Sequence, residues 1–292
     1  MPETDVAAPP HRRLQWQVAE VRDIIEETPR VRSLVLRVPE WHGHRPGQHV
    51  DVRLTGEDGF RAQRSYSIAS APESANLMLT IERIDAGEVS PYLASEVQPG
   101  DRFELRGPIG GYFVWTVQEG GPLFLIAGGS GIAPLMAMLR HRAAAVGSLP
   151  AMLLFSSRTE QDIIYRDELD RLAARDDGLR VVHTLTRGHP AGWTGGTRRI
   201  DRDMLAAEGG EFYLLRTPLL PLSVNGAGDA IAALFLFHRL RSGSVAEALE
   251  GAGSSVFGLL RRTAEAGSRE ILTVAAQDEF VSPSELFMAM PC

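Results

Sequence analysis

At 292 residues with a net charge of −7 at pH 7, the chain is long enough for about two domains and too acidic for a nucleic-acid surface or a polybasic membrane patch. Cys292 is the one cysteine, which excludes an internal disulfide, a multi-thiolate zinc site and a four-cysteine iron-sulfur cluster. Residues 1–12, acidic and proline-rich without an apolar core, read as a disordered leader, not a signal peptide. No window reaches membrane-spanning length, so the expectation is a cytoplasmic protein with neither a membrane nor a nucleic-acid partner.

From about residue 13 to 118 the pattern has a period of two. Val50, Val52 and Leu54 alternate with His49, Asp51 and Arg53, and Leu77, Leu79 and Ile81 alternate with Met78, Thr80 and Glu82, which predicts antiparallel strands closing into a small β-barrel. His42, His44 and His49 cluster around a turn without an acidic or cysteine ligand at fixed spacing, so no metal site is read there. Arg61 to Ser70 places a fixed cation, an aromatic ring and several hydroxyls on one extended segment. Arg64 and Tyr66 share a face of that strand, while Ser65 and Ser67 start on the other. Arg64 can hold a diphosphate, Tyr66 can stack on a flat heteroaromatic ring and Ser67 can hydrogen-bond a ring nitrogen; the same composition also suits a half-buried strand with an exposed tyrosine. Gly87, Val89 and Ser90-Pro91 follow. They predict a serine-capped helix start whose free amides form an anion site, or simply a capped surface helix.

From Pro122 the period changes. Leu123 to Ala127 is a continuous apolar run, followed by Gly128-Gly129-Ser130-Gly131 and then a helical pattern from Ile132 to Arg142. Strand, glycine turn and helix is a dinucleotide-binding arrangement, in which Gly129, Ser130 and Gly131 let the backbone approach a diphosphate; taken alone, the glycines fit a plain tight turn. A second strand, Ala151 to Ser156, leads to Ser157-Arg158 and to a helix with Tyr165, Leu169 and Leu172 on one face. A third runs from Leu179 to Thr186, and a short helix from Asp201 to Ala207.

Arg64-Ser65-Tyr66-Ser67 with Ser70 resembles the Arg-x-Tyr-Ser-x-x-Ser signature of the ferredoxin-NADP reductase superfamily. Pro46-Gly47-Gln48, Gly87 to Leu93, Gly107 to Phe113 and Gly128 to Pro134 extend the resemblance in the family's order, over about residues 13–209. It implies a flavin-binding β-barrel (13–118) followed by an α/β parallel-sheet nucleotide-binding domain (119–209). FAD would be held by Arg64, Tyr66, Ser67, Gly87, Val89 and Ser90, with Ser70 favouring FAD over FMN. NADP, or NAD, would be held by Gly129, Ser130, Gly131, Ser157, Arg158 and Tyr165. Arg158 suits a 2′-phosphate, although Glu160 and Asp162 oppose it and an exposed arginine is ordinary. The implied activity is transfer of hydride from NAD(P)H to FAD, and of electrons onward to a small-molecule or protein acceptor, in an oligomeric state the sequence leaves open.

After Gly209 the family's Cys-Gly-Pro loop and its closing acidic and aromatic residues do not occur. Residues 210–286 instead resemble the C-terminal part of a pyridoxal kinase of the ribokinase-like superfamily, through Arg216 to Pro221, Asn225-Gly226-Ala227-Gly228-Asp229, Ser254 to Leu260 and Glu265 to Glu270. Gly226, Ala227 and Gly228 would be the anion hole and Asp229 the catalytic base; alternatively Asp229 only caps a buried helix. Ser244 to Glu247 is a capping box for a helix that Gly267 ends. The fold class expected is therefore a β-barrel, an incomplete α/β parallel-sheet domain lacking its last strands, and an α-rich C-terminal segment (210–292) from an unrelated α/β kinase fold. Phe212 to Leu215 is a strand-like run that could take the missing sheet edge. The function expected is an FAD-dependent reductase impaired by the replaced C-terminus; the alternatives are a pyridoxal kinase fragment or a non-functional fusion of the two.

Overall fold

A computed structural model describes residues 14–56, 59–111, 113–145, 149–207, 213–215, 217–218, 220, 227–268, 271–273 and 275–291. The chain divides into two compact units, residues 1–198 and 199–292.

The first unit begins with strands β1 (Gln17–Thr28), β2 (Val31–Arg37), β3 (His49–Thr55), β4 (Arg61–Ser67) and β5 (Leu77–Glu82). A short helix α1 (Ser90–Ser95) and strand β6 (Arg102–Ile109) follow. These strands form one antiparallel sheet in the order β4-β3-β6-β1-β2-β5. An antiparallel bridge between Ile68 and Leu79 joins its two ends, which closes the expected barrel. Alternation delivers Leu34, Leu36, Val50, Val52, Leu79, Ile81 and Leu105 to the interior, fully buried, and α1 adds Leu93. Asp51 breaks the alternation. It is buried because Ser65 Oγ donates to it at 2.7 Å and Arg106 Nε at 2.9 Å.

Next come β7 (Leu123–Gly128), α2 (Ile132–Ala144), β8 (Ala151–Ser157), α3 (Arg166–Ala173) and β9 (Leu179–Leu185). The three strands pair in parallel in chain order. The central strand β8 is apolar along most of its length, with Leu153, Leu154 and Phe155 fully buried, as expected for a parallel strand covered on both faces. Ile132, Leu135, Met136 and Leu139 of α2 pack against Leu125, Leu153 and Phe155.

The second unit contains α4 (Arg202–Ala207), β10 (Tyr213–Leu214), α5 (Ala227–Ser242), α6 (Val245–Glu265) and β11 (Met290–Pro291). Leu234 of α5 and Ala252, Val256 and Leu259 of α6 form its core with Ala276. Ser244 caps α6 as expected, accepting from Glu247 N at 3.3 Å, and Gly267 follows the helix in the left-handed region. Of the run expected at Phe212 to Leu215, Phe212 lies outside the described residues, and Tyr213 and Leu214 pair antiparallel with Pro291 and Met290. Leu215 lies against Gly253 of α6, so this apolar segment is drawn to a helix of its own unit.

Candidate functional site

Strand β4 sets the register of the first group: Arg64 lies opposite Val52, Tyr66 opposite Val50 and Ser67 opposite His49. Arg64 and Tyr66 share a face, as the alternation requires. The Tyr66 ring packs against the barrel core, and burial pushes its phenol pKa up, so it stays neutral. The Arg64 guanidinium is 39% exposed, donating to Gln63 O at 2.6 Å and to Glu88 Oε2 at 3.2 Å. After Ser67 the chain bends, with Ile68 N donating to Gln48 O at 2.9 Å. A pocket of about 610 Å3 borders this face at Ala62, lined also by Phe60, Glu88, Tyr92 and Phe103.

Ser70 is buried and accepts from Met78 N at 3.1 Å. Its hydroxyl therefore holds the bend. Trp41 Nε1 donates to His44 Nδ1 at 3.3 Å, which leaves the proton on Nε2 to be donated to Ser70 O at 2.9 Å. Burial lowers the His44 pKa, so His44 is a neutral structural residue. Among the described residues no group of His, Cys, Asp and Glu could hold a metal ion.

Ser90 corrects the expected cap. The residue preceding α1 is Val89, fully buried, and Ser90 is the first helical residue, its hydroxyl accepting from Ile84 N at 3.1 Å. Folding the 84–90 loop onto itself consumes that side chain; Gly87 fits there because a Cβ would press on Ser90 Oγ and Ile84 O.

The second group lies at the end of β7. Gly129 has φ +52°, a conformation glycine adopts without strain, and a Cβ on Gly128 or Gly131 would meet nothing within 4 Å. The turn feeds the N-terminus of α2, whose positive dipole end favours an anion. Ser130 Oγ donates to Glu82 Oε2 at 2.7 Å, and Arg158 donates to Glu82 Oε1 at 3.2 Å. Glu82 therefore joins the glycine turn to the residue after β8. In sequence Glu82 is the polar member of an alternating strand and nothing more, because its partners are 48 and 76 residues away and no local pattern encodes that. Glu88, the partner of Arg64, was missed for the same reason.

Ser157 is buried, and its hydroxyl has no hydrogen-bond partner; only Arg158 of that pair reaches the surface, 49% exposed. Tyr165 is turned inward. It precedes α3 in the left-handed region, with φ 60°, and is buried. Its hydroxyl is hydrogen-bonded to Thr80 Oγ1, which meets Ser33 Oγ at 2.8 Å. The Arg140 guanidinium lies 5.0 Å from the ring centroid, and burial pushes the phenol up to about 12. Tyr165 thus ties the nucleotide half to the barrel. Gly226 lies outside the described residues, while Ala227, Gly228 and Asp229 form the first turn of α5. Asp229 is the third helical residue, so it does not occupy the cap position.

An antiparallel barrel whose β4 presents Arg64 and Tyr66, followed by a parallel sheet with a glycine turn, defines the class of flavin and nicotinamide-nucleotide oxidoreductases. Residues 18–114 match the oxidoreductase FAD-binding domain and residues 125–215 the oxidoreductase NAD-binding domain. The reductase component of the naphthalene 1,2-dioxygenase/salicylate 5-hydroxylase systems of a Ralstonia species is 30% identical, over 77% of this chain and 67% of that protein. The chain belongs to the ferredoxin reductase family of FAD- and NAD-binding oxidoreductases. Ferredoxin-NADP reductase B of Sorangium cellulosum is 40% identical over 51% of this chain and 60% of that protein. Pyridoxal kinase PdxY of Granulibacter bethesdensis is 71% identical over 90 residues, 31% of this chain and 32% of the kinase; the chain thus spans about a third of one of these relatives and three fifths of the other. Among solved structures, the cytochrome P450 reductase GcoB of Amycolatopsis superposes with a TM-score of 0.58 at 28% identity, over 67% of this chain and 58% of that one. A ferredoxin NADP+ reductase of Neisseria gonorrhoeae with bound FAD and NADP shares the fold, with a TM-score of 0.54 at 22% identity over 66% of this chain and 76% of that one.

Proposed function

We propose that the chain is an NAD(P)H-dependent FAD reductase that delivers electrons to a separate protein acceptor. The observation that carries this reading is the common face of Arg64 and Tyr66 on β4. Arg64 can release Glu88 and bind the FAD diphosphate with its planar fork, since an exposed pair of this kind is worth only ~0.2–1 kcal/mol. In this reading the Tyr66 ring supports the flat ring system, the Ser67 hydroxyl bonds its edge beyond the bend, and the pocket bordering Ala62 and Glu88 takes the rest of the dinucleotide. The glycine turn and Arg158 receive the nicotinamide nucleotide. When bound, FAD accepts hydride from NAD(P)H and returns electrons to the acceptor. A protein acceptor is supported by relatives whose names describe reductase and electron-transfer components of oxygenases.

Two further features of this reading come from the C-terminus. Without a Cys-Gly-Pro loop and a closing aromatic, nicotinamide is poorly positioned over the flavin and hydride transfer is slow. Residues 210–286 are a kinase fragment joined to the reductase, spanning 32% of the related kinase. The test is a visible spectrum of the purified chain followed by anaerobic NADH and, on a separate sample, NADPH. We expect bound FAD that bleaches slowly. Purification without flavin on reconstitution would overturn the flavin site, and bleaching at the rate of intact family members would overturn the impairment.

A further inference from the structure

The Glu82 carboxylate sits between the two groups assigned to the nicotinamide nucleotide. One oxygen accepts from Ser130 in the glycine turn at 2.7 Å and the other pairs with Arg158 at 3.2 Å. Glu82 is the last residue of β5, held in register opposite Val31, so the barrel inserts a negative charge into the anion site of the nucleotide half. We propose that Glu82 is a specificity-determining residue that disfavours the extra phosphate of NADP and so sets the chain's selectivity toward NAD. This rests on the reading above that Ser130 and Arg158 meet the nucleotide.

The argument is one of charge. Arg158 is the cation assigned to a 2′-phosphate, and Glu82 already neutralises it; a phosphate binding there must displace the carboxylate or accept its repulsion at close range. A ribose hydroxyl carries no such penalty and can donate to a carboxylate. Ser130 strengthens the effect, because a charge-assisted hydrogen bond holds the carboxylate in place. Glu82 has 26% of its side chain exposed and Arg158 49%, so salt weakens the discrimination without abolishing it.

The experiment is calorimetric titration of the FAD-loaded full chain with NADP+ and, separately, NAD+, for the wild type, Glu82→Gln and Arg158→Ala. Glutamine keeps an acceptor for Ser130 and removes the charge. We expect Glu82→Gln to raise the affinity for NADP+ relative to NAD+ by about tenfold, a shift that contracts at high salt. Glu82→Ala serves as the second variant and should move the ratio in the same direction if glutamine disturbs the strand end. A residue with a merely structural role would change both affinities together; that outcome, or an unchanged ratio while Arg158→Ala weakens NADP+, overturns the inference and leaves the nucleotide site intact. If Arg158→Ala, together with a further variant Ser130→Ala titrated in the same way, leaves both nucleotides unaffected, the site assignment itself falls, and the role of Glu82 with it.

Discussion

Tyr165 stands at φ 60° because its hydroxyl and ring are held from three sides: Thr80 bonds the oxygen, Glu27 Oε2 accepts from the backbone N at 3.3 Å and Arg140 covers the ring. Burial, which raises the pKa of Glu27 as well, makes this a low-dielectric network in which each partner matters. Tyr165→Phe should therefore cost roughly 1 kcal/mol of stability in chemical denaturation, while the NADP+ affinity stays within about twofold of wild type; a large loss of affinity without a loss of stability would return Tyr165 to the nucleotide site. The chemistry of single residues was legible where it depended on a neighbour in sequence, as with Arg64 and Tyr66 on alternate positions of one strand. It was not legible where a side chain is spent on the protein itself. Ser70, Ser90 and Tyr165 have family positions, but their hydroxyls serve Met78 N, Ile84 N and Thr80.

Elements were read more reliably than side chains, because periodicity records burial directly. The barrel strands, the glycine turn, α2 and β8 fall where the alternation and the apolar runs put them. The start of α1 was misread by one residue, since serine followed by proline looks the same whether the serine caps or opens the helix. Helix α6 shows what a periodic pattern hides. Gly258 reads as a weak point in a helix, yet a Cβ there would collide with Glu279 Oε2, a buried carboxylate that accepts from Ser284 N at 2.8 Å and Ser284 Oγ at 2.9 Å. Gly258→Ala should gain helix propensity and still destabilise the second unit by about 2 kcal/mol through overpacking. Thermal unfolding followed at 222 nm checks the sign, and a stabilised variant would show that the 277–285 segment yields freely.

For the chain as a whole, the expected order of barrel and nucleotide half is found within one compact unit, residues 1–198, and sequence gave no sign of how the two halves share their interior. The core built on Met136, Leu139, Leu153 and Phe155 also contains Val31, Ala69 and Trp115 from the barrel and its following loop. Arg140 adds a bond to Ala69 O at 2.7 Å while holding Glu168 through both oxygens, at 2.8 and 2.6 Å. A three-stranded sheet with two flanking helices is small for independent stability, and here part of its interior comes from elsewhere. Hydrogen exchange in rising urea should accordingly release β3 and β4 together with β8 and β9, as one cooperative transition; separate release would mean that the shared residues contribute little. The shared interior also joins the halves by linkage: a ligand that binds only the folded barrel stabilises the whole unit by mass action, so saturation with flavin would shield the nucleotide half from proteolysis as well.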